Sequence, residues 1–190
     1  AYVTKPFLHD TLLTTVEKYF SISRSSIPAA VPVAYPQQQF TVSLDSTRPY
    51  IRFWGTRGSI PVSGAEFMRH GGNTPCLEVN DGLSTVIIDA GTGIRELGVK
   101  LMSEPPRPLH LFIGHTHWDH IQGFPFFLPA YSADNRIHVY GPPGRDKSFD
   151  KIFRAQMDSD YFPVDLGDMS PNIEVHEVRE TITLDGLTID

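Results

Sequence analysis

Residues 114–120 have the sequence Gly-His-Thr-His-Trp-Asp-His, and they directly follow the largely apolar run Leu-His-Leu-Phe-Ile at 109–113. The apolar run predicts a buried strand, and the glycine marks the point at which that strand ends. Histidine and carboxylate side chains are common protein ligands of transition metals, so this concentration of them is hard to explain by packing. The stretch therefore predicts a metal-binding loop at the end of a strand.

The spacing within this loop indicates two metal positions. His115 and His117 are two residues apart, so in extended backbone their side chains project to the same side and can share one ion. Asp119 and His120 come after the chain turns and point at an adjacent position. A catalytic zinc takes about three protein ligands, so four candidates exceed the needs of one site. Two ions about 3.5–4 Å apart suit the hydrolysis of phosphate esters and related bonds.

Composition limits the other possibilities. The 190 residues include 16 Lys and Arg against 22 Asp and Glu, for a net charge of −6, and no dense basic run occurs. This excludes a broad nucleic-acid surface but leaves local phosphate recognition open. The single cysteine, Cys76, cannot form an internal disulfide, and no apolar run reaches eighteen residues. We therefore expect a cytoplasmic protein without a membrane partner.

The sequence divides into three parts. Residues 1–20 contain an amphipathic helix, 21–39 form a Pro/Ser/Gln linker, and a second domain occupies 40–190. In that domain we predict strands at 50–54, 76–79, 84–89, 109–113, 136–140, 173–178 and 181–184, and helices at 94–101 and 149–157. The chain begins without methionine and ends within an apparent hairpin arm, so we expect a C-terminally truncated fragment of a longer protein.

The second domain resembles the phosphodiesterase and tRNA-processing-like branch of the metallo-β-lactamase superfamily. The His-x-His-x-Asp-His motif at 115–120, the glycine-punctuated loop at 53–61, the turn at 71–74 and the segment Ile-Asp-Ala-Gly-Thr-Gly at 88–93 occur in the family's order. The resemblance implies an α/β fold, an αββα sandwich that is incomplete here, with the metals at one edge. It also implies a metal-dependent hydrolase, a phosphodiesterase in the first place. Two alternatives remain: a thioester or lactone hydrolase with the same metals, and a non-catalytic metal-binding output module.

The resemblance also implies a role for each candidate residue. His115 and His117 would bind a first divalent ion, and Asp119 and His120 a second; zinc fits best, with manganese and iron also compatible. A metal-bridging hydroxide would attack phosphorus while Asp119 holds or accepts its proton. Asp89 would support the loop by hydrogen bonding, although it could instead cap the following helix.

Two further expectations concern the rest of the protein. The segment 2–7 and the helix after it resemble the end of a response-regulator receiver domain, which implies two-component signalling and a sensor histidine kinase as partner. The remaining metal ligands are expected beyond Asp190, because the alternation of their strands predicts that His138 and His176 are exposed, non-ligating strand residues. We therefore expect the 190-residue chain alone to bind metal weakly and to turn over little substrate.

Overall fold

The computed structural model describes residues 49–80, 85–169, 172–184 and 187–189. The predicted N-terminal helix, the linker and the first residues of the second domain lie outside the described residues. The strands are β1 (Tyr50–Gly55), β2 (Cys76–Asn80), β3 (Thr85–Ile88), β4 (Pro108–Phe112), β5 (Arg136–Gly141), β6 (Ile173–Glu177), β7 (Ile182–Leu184) and β8 (Leu187–Ile189). The helices are α1 (Ile94–Leu101), α2 (Trp118–Ile121) and α3 (Phe149–Ala155).

Six strands form one sheet in the order β1-β2-β3-β4-β5-β6. The pairs β1/β2 and β2/β3 are antiparallel, whereas β3, β4, β5 and β6 run parallel to their neighbours. Parallel neighbours require crossover connections, and α1 and α3 lie in two of these. β7 and β8 form a separate antiparallel pair, with Leu184 opposite Leu187. The predicted α/β fold class is confirmed.

One face of the six-stranded sheet carries the core. Alternate residues of the central strands, such as Leu109 and Leu111 of β4 and Ile137 and Val139 of β5, are fully or almost fully buried against α1 and α3. In α1 the buried residues are Ile94, Leu97, Gly98 and Leu101, which recur at the three- and four-residue spacing of one helix face. The alternate residues of the strands and the buried face of α1 therefore belong to the same hydrophobic core.

Glu78 of β2 is buried within that layer and binds three partners. It accepts hydrogen bonds from Tyr50 Oη at 2.7 Å, Trp54 Nε1 at 2.9 Å and Lys100 Nζ of α1 at 2.7 Å. Burial raises the pKa of the Glu78 carboxyl, but the donors outweigh burial and the pKa lies below its ordinary value. This ion pair attaches α1 to the antiparallel part of the sheet.

The opposite face is more open. It includes Ile88 of β3, His110 of β4 and His138 of β5, and on β1 the residues Ile51 and Phe53 are 62% and 68% exposed. A largely apolar cavity of about 480 Å³ lies between this face and the segment that leads into β7. Within the described ranges, no helix is long and apolar enough to span a bilayer.

Candidate metal centre

The histidine loop, residues 114–120, begins directly after β4. Gly114, His115 and His117 are exposed, and the chain enters α2 at Trp118 after an extended residue at His117. Asp119 and His120 lie in α2, and their side chains are only 13% and 17% exposed. The motif therefore splits into an exposed extended half and a half-buried helical half.

The four candidate ligands form two neighbouring pairs. His115 Nε2 lies 3.1 Å from His117 Nδ1, and His120 Nε2 lies 3.5 Å from Asp119 Oδ2. The rings of His115 and His120 join the pairs, with their centroids 4.0 Å apart. Neighbouring ligands of one tetrahedral ion, with bonds of about 2.0–2.2 Å, lie about 3.3–3.6 Å apart. Each pair is therefore close enough to share an ion, and the nitrogen and oxygen donors fit a divalent transition metal.

Asp89, immediately after β3, lies against both halves of the loop. Its Oδ1 accepts a hydrogen bond from the Gly114 amide at 2.9 Å. Its Oδ2 lies 2.8 Å from His120 Nδ1, an ion-pair distance at which the geometry is not that of a hydrogen bond. Asp89 has a positive φ of 63°, a conformation that aspartate adopts more readily than most residues. This backbone turn directs the carboxylate towards the loop.

Asp119 is held from a different part of the chain. The Ser59 amide donates a hydrogen bond to Asp119 Oδ2 at 2.8 Å, and Ser59 itself has a φ of 72°. This hydrogen bond is the main reason that the pKa of Asp119 lies below its ordinary value, and the nearby His120 and His115 also lower it. The carboxylate is therefore ionised near neutral pH, as a metal ligand requires.

Two threonines join the loops that surround the site. The Thr92 amide donates to Thr74 Oγ1 at 2.8 Å, and the Thr74 amide donates to Thr92 Oγ1 at 2.9 Å. Gly91 lies between them and the histidine loop, and a Cβ built on it would come within 2.4 Å of the Asp119 carbonyl oxygen. The Gly-Thr-Gly segment after β3 therefore permits close approach of α2.

A polar cleft of about 450 Å³ lies in the loop that carries Ser59. Arg57, Arg69 and His70 line it, together with Glu66 and Phe67. The Arg57 guanidinium lies over the Phe67 ring, 4.9 Å from its centroid, and its Nε donates to the Ile60 carbonyl. Ser59 lies in the same loop as Arg57, and its amide donates to Asp119. The hydrogen bond therefore connects the loop of this cationic cleft to the histidine loop.

Sequence reasoning missed two features. It did not find the contact of Ser59 with Asp119, because a backbone amide donor has no residue-type signature. It also interpreted His138 as exposed, which is wrong: the side chain is 18% exposed, because it packs between neighbouring rings of the open sheet face. His176, with a side chain that is 39% exposed, lies beside it.

No family model matches the chain. Ribonuclease Z of Picrophilus torridus is 30% identical over 105 residues, which make up 54% of this chain and 32% of that protein. Ribonuclease Z of Haloarcula marismortui is 25% identical over 123 residues, 63% of this chain and 37% of that protein. Among solved structures, a diphosphatase from the PhnP family has 19% identity and a TM-score of 0.48, over 73% of this chain and 54% of that chain.

The chain thus spans about a third of the length of the ribonuclease Z relatives that it matches. The similarity to these relatives supports the resemblance of the sequence motifs to those of the metallo-β-lactamase superfamily.

Proposed function

We propose that the protein that carries this chain is a metal-dependent phosphodiester hydrolase. His115 and His117 would hold one divalent ion, and Asp119 and His120 a second. The observation that carries the proposal is the arrangement of these side chains as two donor pairs, with separations of 3.1 and 3.5 Å, at the end of β4. When bound, such a pair of ions would activate water and stabilise the charge that develops on a phosphoryl group.

The chain's own residues have distinct tasks in this proposal. Ser59 and Asp89 orient the ligands, since one donates to Asp119 and the other faces His120. Asp119, ionised near neutral pH, is the group that holds or accepts the proton of the attacking water.

The cationic cleft favours a phosphate-containing substrate over a thioester or lactone. Arg57 and Arg69 line it, and guanidinium groups bind phosphate oxygens in a bidentate manner. A net charge of −6 without a dense basic run restricts this recognition to a local contact. Because relatives of this chain are named ribonuclease Z, RNA is the first phosphodiester to test.

The test combines metal analysis with an activity assay, on the protein in the full length in which it occurs. We expect hydrolysis of bis(p-nitrophenyl) phosphate and of RNA in the presence of Zn²⁺ or Mn²⁺. His117→Ala and Asp119→Asn should each lower the turnover by at least about 100-fold, because each removes a proposed ligand of a catalytic ion. Asp134→Asn changes an exposed aspartate elsewhere and is the matched control.

Two results would contradict the proposal. Bound metal with no hydrolysis of any phosphodiester, but with turnover of a thioester or lactone, would identify the other hydrolase class. Bound metal with no turnover of any ester would identify a non-catalytic binding module.

A further inference from the structure

A second group of metal-ligating side chains lies on the open face of the sheet, away from the histidine loop. β5 and β6 are parallel neighbours, with His138 opposite Glu174 and Tyr140 opposite His176. Glu174 and His176 are two residues apart on β6, so their side chains leave the same face of the sheet. The strand register therefore brings His138, Glu174 and His176 together.

The distances between their ligand atoms are those of a metal site. His138 Nδ1 lies 3.3 Å from His176 Nε2 and 3.4 Å from Glu174 Oε2, and His176 Nε2 lies 3.7 Å from the same carboxylate oxygen. Bonds of about 2.0–2.2 Å around a tetrahedral zinc ion separate neighbouring ligand atoms by about 3.3–3.6 Å. Two of the three separations lie in this range and the third, 3.7 Å, is slightly longer, so the three atoms form one face of a tetrahedron of nearly this size.

The surroundings hold the two imidazoles in place. The His138 ring stacks on His110, with a centroid separation of 5.3 Å, and the His176 ring stacks on Tyr140 at 4.9 Å. The His138 side chain is only 18% exposed, so its ring has little freedom to move away from the group. The Glu174 side chain is 55% exposed, which leaves the outer side of the group open to water.

A hydrogen-bonded group without an ion is the competing interpretation. One imidazole would then donate to the other across the 3.3 Å contact. Glu174 would then be an ion-pair partner of one imidazole, whereas its Oε2 lies at comparable distances, 3.4 and 3.7 Å, from both nitrogens. In the described part of the chain, these three residues form a group whose ligand atoms all lie within 4.8 Å of one another.

We propose that His138, Glu174 and His176 bind one divalent transition-metal ion of the zinc class, with the fourth position open to water. Two imidazoles and one carboxylate favour zinc, nickel or copper over magnesium or calcium, which prefer all-oxygen sites. The ion would join β5 to β6. The site shares no residue with the histidine loop, so it stands whether or not the proposed hydrolase activity does.

The test uses a background from which both proposed ion positions of the loop have been removed, the quadruple variant His115→Ala/His117→Ala/Asp119→Asn/His120→Ala. Equilibrium dialysis against Zn²⁺, followed by elemental analysis, should still find a bound ion in this background. Co²⁺ in its place should give the visible absorption of a tetrahedral site. Adding His138→Ala, His176→Ala or Glu174→Gln should weaken binding by about tenfold or more, since even residues that only support a ligand have effects of this size.

The matched controls are His70→Ala and Glu96→Gln, which change an exposed histidine and an exposed glutamate and should leave binding unchanged. A separate measurement needs no variant: Zn²⁺ should slow diethylpyrocarbonate modification of His176, followed by mass spectrometry, but not that of His70. Absence of binding in the quadruple variant, undiminished binding after the further change of His138, His176 or Glu174, or equal modification rates with and without Zn²⁺ would each overturn the proposal.

Discussion

The carboxylate of Asp89 lies 2.8 Å from the Nδ1 atom of His120, at the point where β3 ends beside the histidine loop. Its other oxygen accepts from the Gly114 amide. One side chain therefore contacts both the first residue of the loop and its last candidate ligand. Carboxylates that orient ligating histidines contribute strongly to metal affinity, although they do not bind the ion themselves.

Asp89→Asn should weaken metal binding at the histidine loop by about 10- to 100-fold, because the amide cannot supply the charge that faces His120. Asparagine tolerates the positive φ of this position, so the backbone should be little affected. Isothermal titration with Zn²⁺ checks the affinity, and circular dichroism checks the fold. Unchanged affinity in a folded variant would mean that Asp89 only caps the following segment.

Gly91→Ala should destabilise the protein by about 2–3 kcal/mol, since its Cβ would meet the Asp119 carbonyl, Thr74 Oγ1 and Pro75 carbonyl at 2.4–2.6 Å. The matched control is Gly58→Ala, because a Cβ there meets nothing within 4 Å. Urea denaturation of both variants measures the difference. If Gly91→Ala were as stable as Gly58→Ala, the segment after β3 could move away from α2 at little cost, which would contradict the close packing of these two segments.

Ser59→Gly should stabilise the protein by about 0.5–1 kcal/mol, because glycine adopts the positive φ of 72° without steric cost. It keeps the amide that donates to Asp119, so metal affinity should not change. Ser59→Val should lower both stability and affinity, since a β-branched residue is strained in this conformation. Thermal unfolding and Zn²⁺ titration give the two values; a stable Val variant with full affinity would contradict this account.

The sequence predicted the local features of this fold well. The helix predicted at 94–101 coincides with α1, because Ile94, Leu97 and Leu101 have the period of a buried helix face. The strand before the histidine loop was displaced by only one residue. Both features depend on side chains close in sequence, for which periodicity is informative.

Features that depend on strand order were not accessible from the sequence. His138, Glu174 and His176 occupy alternating polar positions, a pattern equally typical of a solvent-facing strand. Only the parallel pairing of β5 with β6, and its register, brings them together. Ligation by His115, His117, Asp119 and His120 stays a prediction, as do the three-part domain organisation and the receiver resemblance of residues 1–20.

Lys100→Met should destabilise the protein by about 3 kcal/mol near pH 7, because it leaves the fully buried Glu78 carboxylate without its cation. Glu78→Gln should cost less, about 2 kcal/mol, since Lys100 is 23% exposed and also pairs with Glu104 at 3.1 Å. The double variant Glu78→Gln/Lys100→Met should be more stable than the sum of the single effects predicts. Urea denaturation of the four proteins measures this coupling, with the exposed Glu96→Gln as the control.

The contribution of the Glu78 carboxylate to stability should decrease as the pH falls. The folded-state pKa of Glu78 lies below its ordinary value of 4.5, so the stabilisation is fully present above about pH 4.5 and is lost as the pH falls through the folded-state pKa. The difference in unfolding free energy between the parent and Glu78→Gln should therefore shrink as the pH falls from about 5 to about 3. This range begins just above the ordinary pKa of 4.5 and extends below it. If the difference stayed constant over this range, the stabilising contribution of Glu78 would be that of its shape and hydrogen bonds, because it would not depend on its charge.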